Sequence, residues 1–323
     1  MTQLPHPAPA SLPRQIIIDT DPGQDDAVAI LLALASPELN VLGITAVAGN
    51  VPLALTARNI CQVLELAGRT DVPVYAGAAQ PLQRKLVTAE HVHGNTGLNG
   101  PTLPEPSMKL AEGDAADFIV RTVRAQPAGT VTLCALGPLT NLALALSRAP
   151  DIAHRLQQIV LMGGGCFEGG NITPAAEFNM YVDPHGASQV LASGAPIVML
   201  PLDVTHQVLT TRARVAVLRA TGTRCAVAVA DMLAYFERFD VEKYGTDGGP
   251  LHDPCVVAYL LQPSLFSGRL INVEIETTSE LTMGMTVADW WGVSGRKANA
   301  MFMRTVDADG FYLLLNQAMA RLP

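Results

Sequence analysis

The segment that decides the fold runs Ile16-Ile17-Ile18-Asp19-Thr20-Asp21-Pro22-Gly23-Gln24-Asp25-Asp26. Its apolar, β-branched run ends at Asp19, a Pro-Gly turn follows, and a helical pattern begins at Asp25, which predicts a buried parallel strand leading into a helix. Four carboxylates fall within the eight residues from Asp19 to Asp26. Because like charges this close repel one another, the cluster favours a divalent cation held by oxygen ligands. Helix capping without a metal is the alternative reading of these aspartates.

The same alternation of strand, turn and helix continues along the chain. Strands are predicted at residues 16–19, 40–46, 73–75, 130–135, 158–162 and 197–200. Helices are predicted at 25–35, 53–66, 115–124, 138–147 and 184–192, with a long functional loop at 77–108. Past residue 210 the pattern turns helical, and strands return at 270–276 and 301–306. This rhythm predicts an α/β fold in which helices cover both faces of a mostly parallel central sheet. We expect a single domain over residues 15–323 after a flexible N-terminal segment at 1–14.

The composition is typical of a globular enzyme with a large core. Of 323 residues, 49% are hydrophobic and only 15% charged, and the formal net charge is −8 with no basic run. Nucleic acid and anionic membranes are therefore not expected partners. The five cysteines are scattered without a C-x-x-C pair, which favours a reducing compartment over structural zinc. Because the first 14 residues lack the apolar core of a signal peptide and no apolar run reaches about 18 residues, we expect a cytoplasmic protein.

Polar residues and glycines follow several predicted strands, at 19–26, 48–50, 136–137 and 162–165. Ligands of parallel sheets bind at the carboxyl ends of the strands, so these residues are expected to surround one site. His252 and Asp253 precede Pro254 at a predicted helix start. There Asp253 is either an N-cap or a distant metal ligand, and His252 is a candidate proton donor.

Two further groups have polar side chains suited to a small ligand. The block Glu177-Phe178-Asn179, with Asn171 upstream, offers both donors and acceptors, which suits recognition of hydroxyl groups, although a solvated loop has the same composition. His91 and His93 lie in the long predicted loop. By pattern alone they are surface residues, since no third ligand stands at a spacing typical of zinc.

Together these segments resemble the signature blocks of one enzyme family, the inosine–uridine-preferring nucleoside hydrolases. Besides Asp19–Asp26, the matching blocks are Ala48-Gly49-Asn50, His93-Gly94-Asn95-Thr96-Gly97-Leu98, Leu136-Gly137-Pro138-Leu139-Thr140-Asn141, Met162-Gly163-Gly164, Glu177-Phe178-Asn179 and His252-Asp253-Pro254. They occur in the family's order, and the resemblance covers about residues 15–320. It implies a nucleoside hydrolase-like fold and, as is common in that family, a homotetramer or homodimer.

The resemblance also implies a metal site and three catalytic residues. A calcium ion would be held by Asp21, Asp26, Asp253 and the main-chain carbonyl of Leu136. The catalytic residues would be Asp21, Asn50 and His252. Asn50 would orient the attacking water, Asp21 and the metal would deprotonate it, and His252 would be the acid for the leaving base.

The substrate residues implied by the same resemblance are Asp25, His93, Met162, Asn171, Glu177, Phe178 and Asn179. Asp25 and Asn179 would hold the 2′ and 3′ hydroxyls of a ribose, which would also bind the metal. Asn171 and Glu177 would hold the 5′ hydroxyl, and Met162 would pack under the sugar. His93 would line the base side.

The implied reaction is hydrolysis of the N-glycosidic bond of a ribonucleoside to free base and ribose, through an oxocarbenium-like transition state. The sequence does not determine which base is preferred. The run 249–255 and the aromatic residues of 227–244 (Tyr235, Phe236, Phe239 and Tyr244) resemble pyrimidine-preferring members somewhat more than purine-preferring ones. Aromatic residues at helical spacing are also typical of a core.

Two other readings remain open from the sequence. An apolar strand followed by Asp-x-Asp also begins haloacid-dehalogenase-like phosphatases, but Gly23 stands where those enzymes carry Thr or Val, and Asp25 and Asp26 have no role there. The second reading is a non-catalytic nucleoside-binding protein that uses the metal as a clamp.

Overall fold

The computed structural model describes residues 12–244 and 248–323. The strands are β1 Arg14–Thr20, β2 Leu39–Ala46, β3 Val74–Ala76, β4 Val131–Ala135, β5 Gln158–Met162, β6 Ile197–Leu200, β7 Leu209–Thr210, β8 Gly249–Pro250, β9 Phe266–Ile271, β10 Val273–Ile275, β11 Thr286–Ala288 and β12 Ala300–Val306. Most of the predicted N-terminal segment, residues 1–11, lies outside the described residues.

Helices connect most of these strands. They are α1 Gln24–Leu34, α2 Leu53–Leu66, α3 Glu90–His93, α4 Ala115–Ala125, α5 Thr140–Arg148, α6 Ile152–Arg155, α7 Phe178–Val182, α8 Pro184–Leu191, α9 Leu202–Thr205, α10 Arg212–Ala220, α11 Arg224–Tyr244, α12 Pro254–Leu261 and α13 Ala308–Met319, with a 3₁₀ turn at Pro263–Leu265. Among the described residues, no helix is both long and apolar enough to cross a membrane.

Eight strands form the central sheet in the order β3-β2-β1-β4-β5-β6-β12-β9. Neighbours are parallel except β9, which runs antiparallel to β12 at one edge. The chain winds outward from β1 through β2 to β3, then returns to place β4 on the other side of β1. This reversal opens a crevice at the carboxyl ends of β1 and β4, where open α/β sheets bind ligands.

Helices cover both faces of this sheet. Successive side chains of β1 show this, because they pack against helices on opposite sides. Ile16 and Ile18 pack into one apolar cluster with α1, α2, α11, α12 and α13. Ile17 points the other way, into a cluster with α4, α5, α6 and α8. Because successive side chains of a strand face opposite sides, a strand buried on both faces is apolar throughout. The predicted α/β architecture, with a mostly parallel sheet covered on both faces, is confirmed.

Two predicted segments differ from the observed structure. The strand predicted at 270–276 is wrong as one element, because β9 belongs to the large sheet and β10 pairs with β11 in a separate hairpin. The chain changes sheets at Asn272, whose side-chain amide donates to the Lys297 carbonyl at 3.0 Å. The apolar pattern continues through this break and gives no sign of it. The loop predicted at 77–108 also contains the short helix α3.

Candidate active site

Three aspartates from two distant helix starts form a buried cluster at the crevice. Asp25 and Asp26 lie in the first turn of α1, and Asp253 precedes α12. One carboxylate oxygen of each lies within 4.8 Å of the other two, a spacing that suits a metal ion. The Asp253 side chain makes no cap hydrogen bond, so the capping alternative does not explain its position. Asp26 does cap α1, accepting the Gly23 N–H at 2.9 Å, while it also belongs to the cluster.

Asp21 lies beside this cluster in a tightly shaped slot. Its Oδ2 accepts the backbone N–H of Asn50 at 2.7 Å, and the Asn50 side-chain amide donates to the Asp21 carbonyl at 3.1 Å. A Cβ built on Gly49 would lie 2.0 Å from Oδ2, and one on Gly137 would lie 2.2 Å from Oδ1. Both positions therefore require glycine, and the carboxylate has little freedom to turn.

The electrostatics of the four carboxylates call for a positive charge. Burial, and then the charge of Asp26, raise the pKa of Asp25 to about 8. Burial is also the largest cause of the raised pKa of Asp21, Asp26 and Asp253. Asp25 Oδ1 is buried with no hydrogen-bond partner, although such atoms are rarely left unpaired. Oxygen donors of this kind fit a hard divalent cation.

The predicted calcium ligands can be compared with the carboxylates that the structure brings together. The group of carboxylates spaced closely enough for a metal ion contains Asp25 together with the predicted ligands Asp26 and Asp253, whereas Asp21 lies adjacent to it. The carbonyl of Leu136, the fourth predicted ligand, lines the same cleft and accepts the Asn179 side-chain amide at 2.7 Å.

Asp25 and Asp253 of this cluster line a cleft of about 730 Å³, counting space open to solvent. One wall carries the polar residues predicted to bind a sugar. Glu177 precedes α7, and its carboxylate accepts backbone N–H groups of Gly164 at 2.9 Å and Asn179 at 3.0 Å. Burial raises the pKa of Glu177 to about 7. Asn171, Met162 and Phe178 line the same cleft, and the Asn171 side chain accepts the Phe178 N–H at 2.8 Å.

A second part of the cleft lining, the wall of rings, consists of His93, Phe236 and His252. His93 and Phe236 stack with centroids 5.4 Å apart, and both line the cleft with His252. Burial lowers the pKa of His93 to about 3, and burial with the neighbouring His206 and His93 lowers the pKa of His252 to about 3. Both rings are therefore neutral near pH 7. Of the other aromatic candidates, Tyr235 packs under the Arg238 guanidinium. The side chains of Phe239 and Tyr244 lie outside the described residues.

Three further side chains at or beside the cleft were not predicted from the sequence. Gln24 bonds the His93 ring at 2.8 Å and its carbonyl at 2.9 Å. Thr205 bonds His252 Nδ1 at 2.8 Å, and the adjacent His206 lines the cleft. The run 202–206 follows strand β6 directly. Polar residues after a strand end were the signal used at the other strands, and the same signal applied here would have found Thr205 and His206.

Comparison with known proteins gives the family. Residues 16–313 match the family model described as inosine-uridine preferring nucleoside hydrolase. The chain belongs to this family. The predicted membership and the predicted class of N-ribosyl hydrolase are thereby confirmed, and the phosphatase and non-catalytic binding readings are set aside.

Relatives of this nucleoside hydrolase match it almost end to end. An uncharacterized protein of Schizosaccharomyces pombe is 57% identical, with 96% of this chain and 100% of the relative covered. The pyrimidine-specific ribonucleoside hydrolase RihA of Salmonella gallinarum is 47% identical, with 94% and 97% covered. The solved structure of a plant nucleoside hydrolase, PpNRh1, superposes with a TM-score of 0.88 at 34% identity, covering 95% of this chain and 99% of that one.

Proposed function

We propose that this nucleoside hydrolase cleaves the N-glycosidic bond of pyrimidine ribonucleosides in the cleft, with Ca²⁺ bound at its floor. The observation that carries the proposal is the juxtaposition of a buried carboxylate cluster, a polar wall and a wall of rings within one cleft. A nucleoside has the matching parts: a vicinal diol, a 5′ hydroxyl and a flat base.

The residues that would hold the cation are Asp21, Asp26, Asp253 and the Leu136 carbonyl, with Asp25 at the same point. A bound Ca²⁺ would lower the pKa of a water and bind the ribose diol. Calcium is favoured because all the donors are oxygens and come from separate segments, which suits its flexible coordination.

The chain's own residues divide the remaining tasks. Asp21, fixed by Asn50 and by the glycine walls, accepts the proton of the attacking water. Asp25 and Asn179 hold the 2′ and 3′ hydroxyls, while Glu177 and Asn171 hold the 5′ hydroxyl over Met162. Holding the sugar in this way lets it approach the oxocarbenium-like transition state in a fixed position.

The wall of rings acts on the leaving base. Thr205 engages Nδ1 of His252, so Nε2 is the nitrogen that reaches the base. Since the ring is neutral near pH 7, it stabilises the departing base as a hydrogen-bond donor. His93 and Phe236 offer faces on which a base can stack. Preference for pyrimidines is supported by the 47% identity to a hydrolase named pyrimidine-specific.

A substrate panel with metal control tests this function. Uridine, cytidine, inosine and adenosine are incubated with the protein after chelation and again after Ca²⁺ is restored, and reducing sugar is measured. We expect ribose to be released faster from uridine and cytidine than from inosine and adenosine. We also expect activity to be lost on chelation and to recover with Ca²⁺. Asp21→Asn should abolish turnover, whereas Asp151→Asn, an exposed matched control, should not. Activity indifferent to the chelator would refute the metal site, and faster inosine cleavage would refute the base preference.

We further propose a cytoplasmic homo-oligomer, a tetramer or dimer. Support comes from the low charged fraction of 15% and from five cysteines that all remain unpaired. Native mass spectrometry of the purified chain gives the stoichiometry.

A further inference from the structure

We propose that His206, with its ring fixed by Glu168, is a specificity-determining residue that hydrogen-bonds the polar edge of the nucleobase. This inference rests on the proposed function and deepens it by adding a second base-contacting histidine beside His252. It assigns a task to the run 202–206, which follows strand β6 at the active-site edge of the sheet.

The position of His206 places it on the base side of the cleft. Its ring lines the cleft, and the ring centroid lies 5.8 Å from that of His252 at an interplanar angle of 56°. The residues proposed to hold the sugar line the same cleft. A base held near His252 would therefore lie within reach of the His206 ring.

Glu168 fixes the orientation of that ring. His206 Nδ1 lies 3.4 Å from Glu168 Oε2, a contact at the outer limit of a hydrogen bond and within reach of an ion pair. The side chain of His206 is 23% exposed, so it combines partial burial with access to a ligand. Nδ1 is the ring nitrogen that faces Glu168, and the proposal assigns the contact with the base to the other ring nitrogen, Nε2.

The loop that carries Glu168 is itself tied to the helix that precedes His206. Asp203, in α9, accepts backbone N–H groups from Cys166 at 2.8 Å, Phe167 at 2.6 Å and Glu168 at 3.3 Å. Asp203 is buried at 5% exposure. Three hydrogen bonds to one buried carboxylate hold the loop and α9 as a unit, so the pair is arranged before substrate arrives. Ligand-binding side chains fixed in this way lose little freedom on binding.

An isolated surface ion pair would be the plainer reading of Glu168 and His206, since such pairs are common and contribute little. The location of His206 in the cleft, beside the His252 ring, argues against a purely structural ion pair. The two readings differ in a measurable way. A base contact matters for substrates whose leaving group has a polar ring edge, whereas a structural pair affects all substrates alike.

The test compares uridine with p-nitrophenyl β-D-ribofuranoside, whose leaving group departs without assistance and lacks the polar edge of uracil. His206→Phe keeps a flat ring and removes both nitrogens. We expect kcat/KM for uridine to fall about 10-fold, the loss of one hydrogen bond, while the nitrophenyl riboside is cleaved at nearly the wild-type rate. Glu168→Leu should shift the ratio in the same direction, and Glu168→Gln, which still accepts a hydrogen bond, should restore it. His154→Phe, at an exposed position of helix α6, is the matched control.

Equal losses on both substrates, or no loss on either, would overturn the proposal. Should His206→Phe fail to fold, the ratio measured for Glu168→Leu against Glu168→Gln decides the question. If the wild-type protein released no base from any nucleoside, the proposed function would fail instead, so the two failures are distinguishable.

Discussion

At the scale of single residues, the site depends on its glycines as much as on its polar side chains. Asp21 is confined because Gly49 and Gly137 bring their backbones against its two oxygens. Neither glycine has a positive φ, so the requirement is for space and not for an unusual backbone conformation. The blocks Ala48-Gly49-Asn50 and Leu136-Gly137 thus follow their strands in order to shape the Asp21 slot.

Replacing one of these glycines tests the slot. In Gly49→Ala the new Cβ would lie 2.0 Å from Asp21 Oδ2 and 2.9 Å from Pro138 Cδ, so the carboxylate must move. We expect kcat/KM to fall on the order of 100-fold, as for a catalytic group displaced by about an ångström, while the protein stays folded. Steady-state kinetics and circular dichroism measure both effects.

Gly129→Ala provides the control for that prediction. A Cβ at Gly129 meets nothing within 4 Å, and its φ of +77° costs the alanine some stability without touching the site. Its activity should equal the wild-type value. An active Gly49→Ala protein would show that Asp21 does not need its observed position.

At the scale of elements, Asn141 at the start of α5 ties three segments together. Its amide donates to Asp19 Oδ1 at 2.7 Å and to the Ala46 carbonyl at 3.0 Å, and its oxygen accepts the Ala78 N–H at 2.8 Å. One buried side chain therefore joins the ends of β1 and β2 to the loop that leads towards α3. The sequence showed Asn141 only as part of a family block, without a task.

Removing this side chain should loosen the junction. Asn141→Ala leaves a buried carboxylate oxygen, a carbonyl and an N–H short of a partner, so we expect a loss of about 2–3 kcal/mol in the free energy of unfolding. Urea unfolding followed by fluorescence measures it. Asn40→Ala, which removes an exposed bond to Gln15 at the other end of β2, should change stability by less than about 0.5 kcal/mol. Equal urea midpoints for the two variants would contradict the assigned role.

The sequence predicted elements well where one periodicity governs a whole segment. The strand ending at Asp19 and the helix after it were found because a β-branched run and a Pro-Gly turn mark them. Short elements were missed because their placement depends on partners far along the chain. Helix α9 has four residues, and β10 is distinguished from β9 by its pairing with β11, which lies farther along the chain. His206 follows a strand end and could have been found from that position, but its proposed role could not be predicted from the sequence, because that role depends on its contacts with His252 and Glu168.

At the scale of the whole molecule, the sheet's reversal brings distant parts of the chain to one point. Asp253 lies more than 200 residues from Asp25 and Asp26, yet α1 and α12 pack together and bring the three carboxylates within 4.8 Å. The sequence alone left Asp253 as either a cap or a ligand, because only the tertiary packing decides where its side chain points. The family resemblance supplied that information from outside the chain's own pattern.

Because several carboxylates are buried close together, the free energy of unfolding of the metal-free protein should depend on pH. Burial raises the pKa of Asp25 from 3.8 to about 8 and raises the pKa of Asp21 and Asp253, so the folded state binds protons that the unfolded state has released. Stability must then fall as pH rises through this range, by about 1.4 kcal/mol per pH unit for each such proton. The lowered pKa values of His93 and His252 make stability rise with pH, but only below their ordinary pKa of 6.5. Between pH 6.5 and 8 the effect of the carboxylates can therefore be measured without that of the histidines.

Calcium should reverse this trend, because a cation bound only by the folded protein stabilises it and replaces the protons. We expect the melting temperature after chelation to fall between pH 6.5 and 8, and the increase on adding Ca²⁺ to be larger at pH 8. Scanning calorimetry at both pH values measures the two shifts. Asp25→Asn should make the metal-free profile shallower, whereas the exposed Asp151→Asn should leave it unchanged. A metal-free stability that rose between pH 6.5 and 8 would mean that these carboxylates are not held together without a cation.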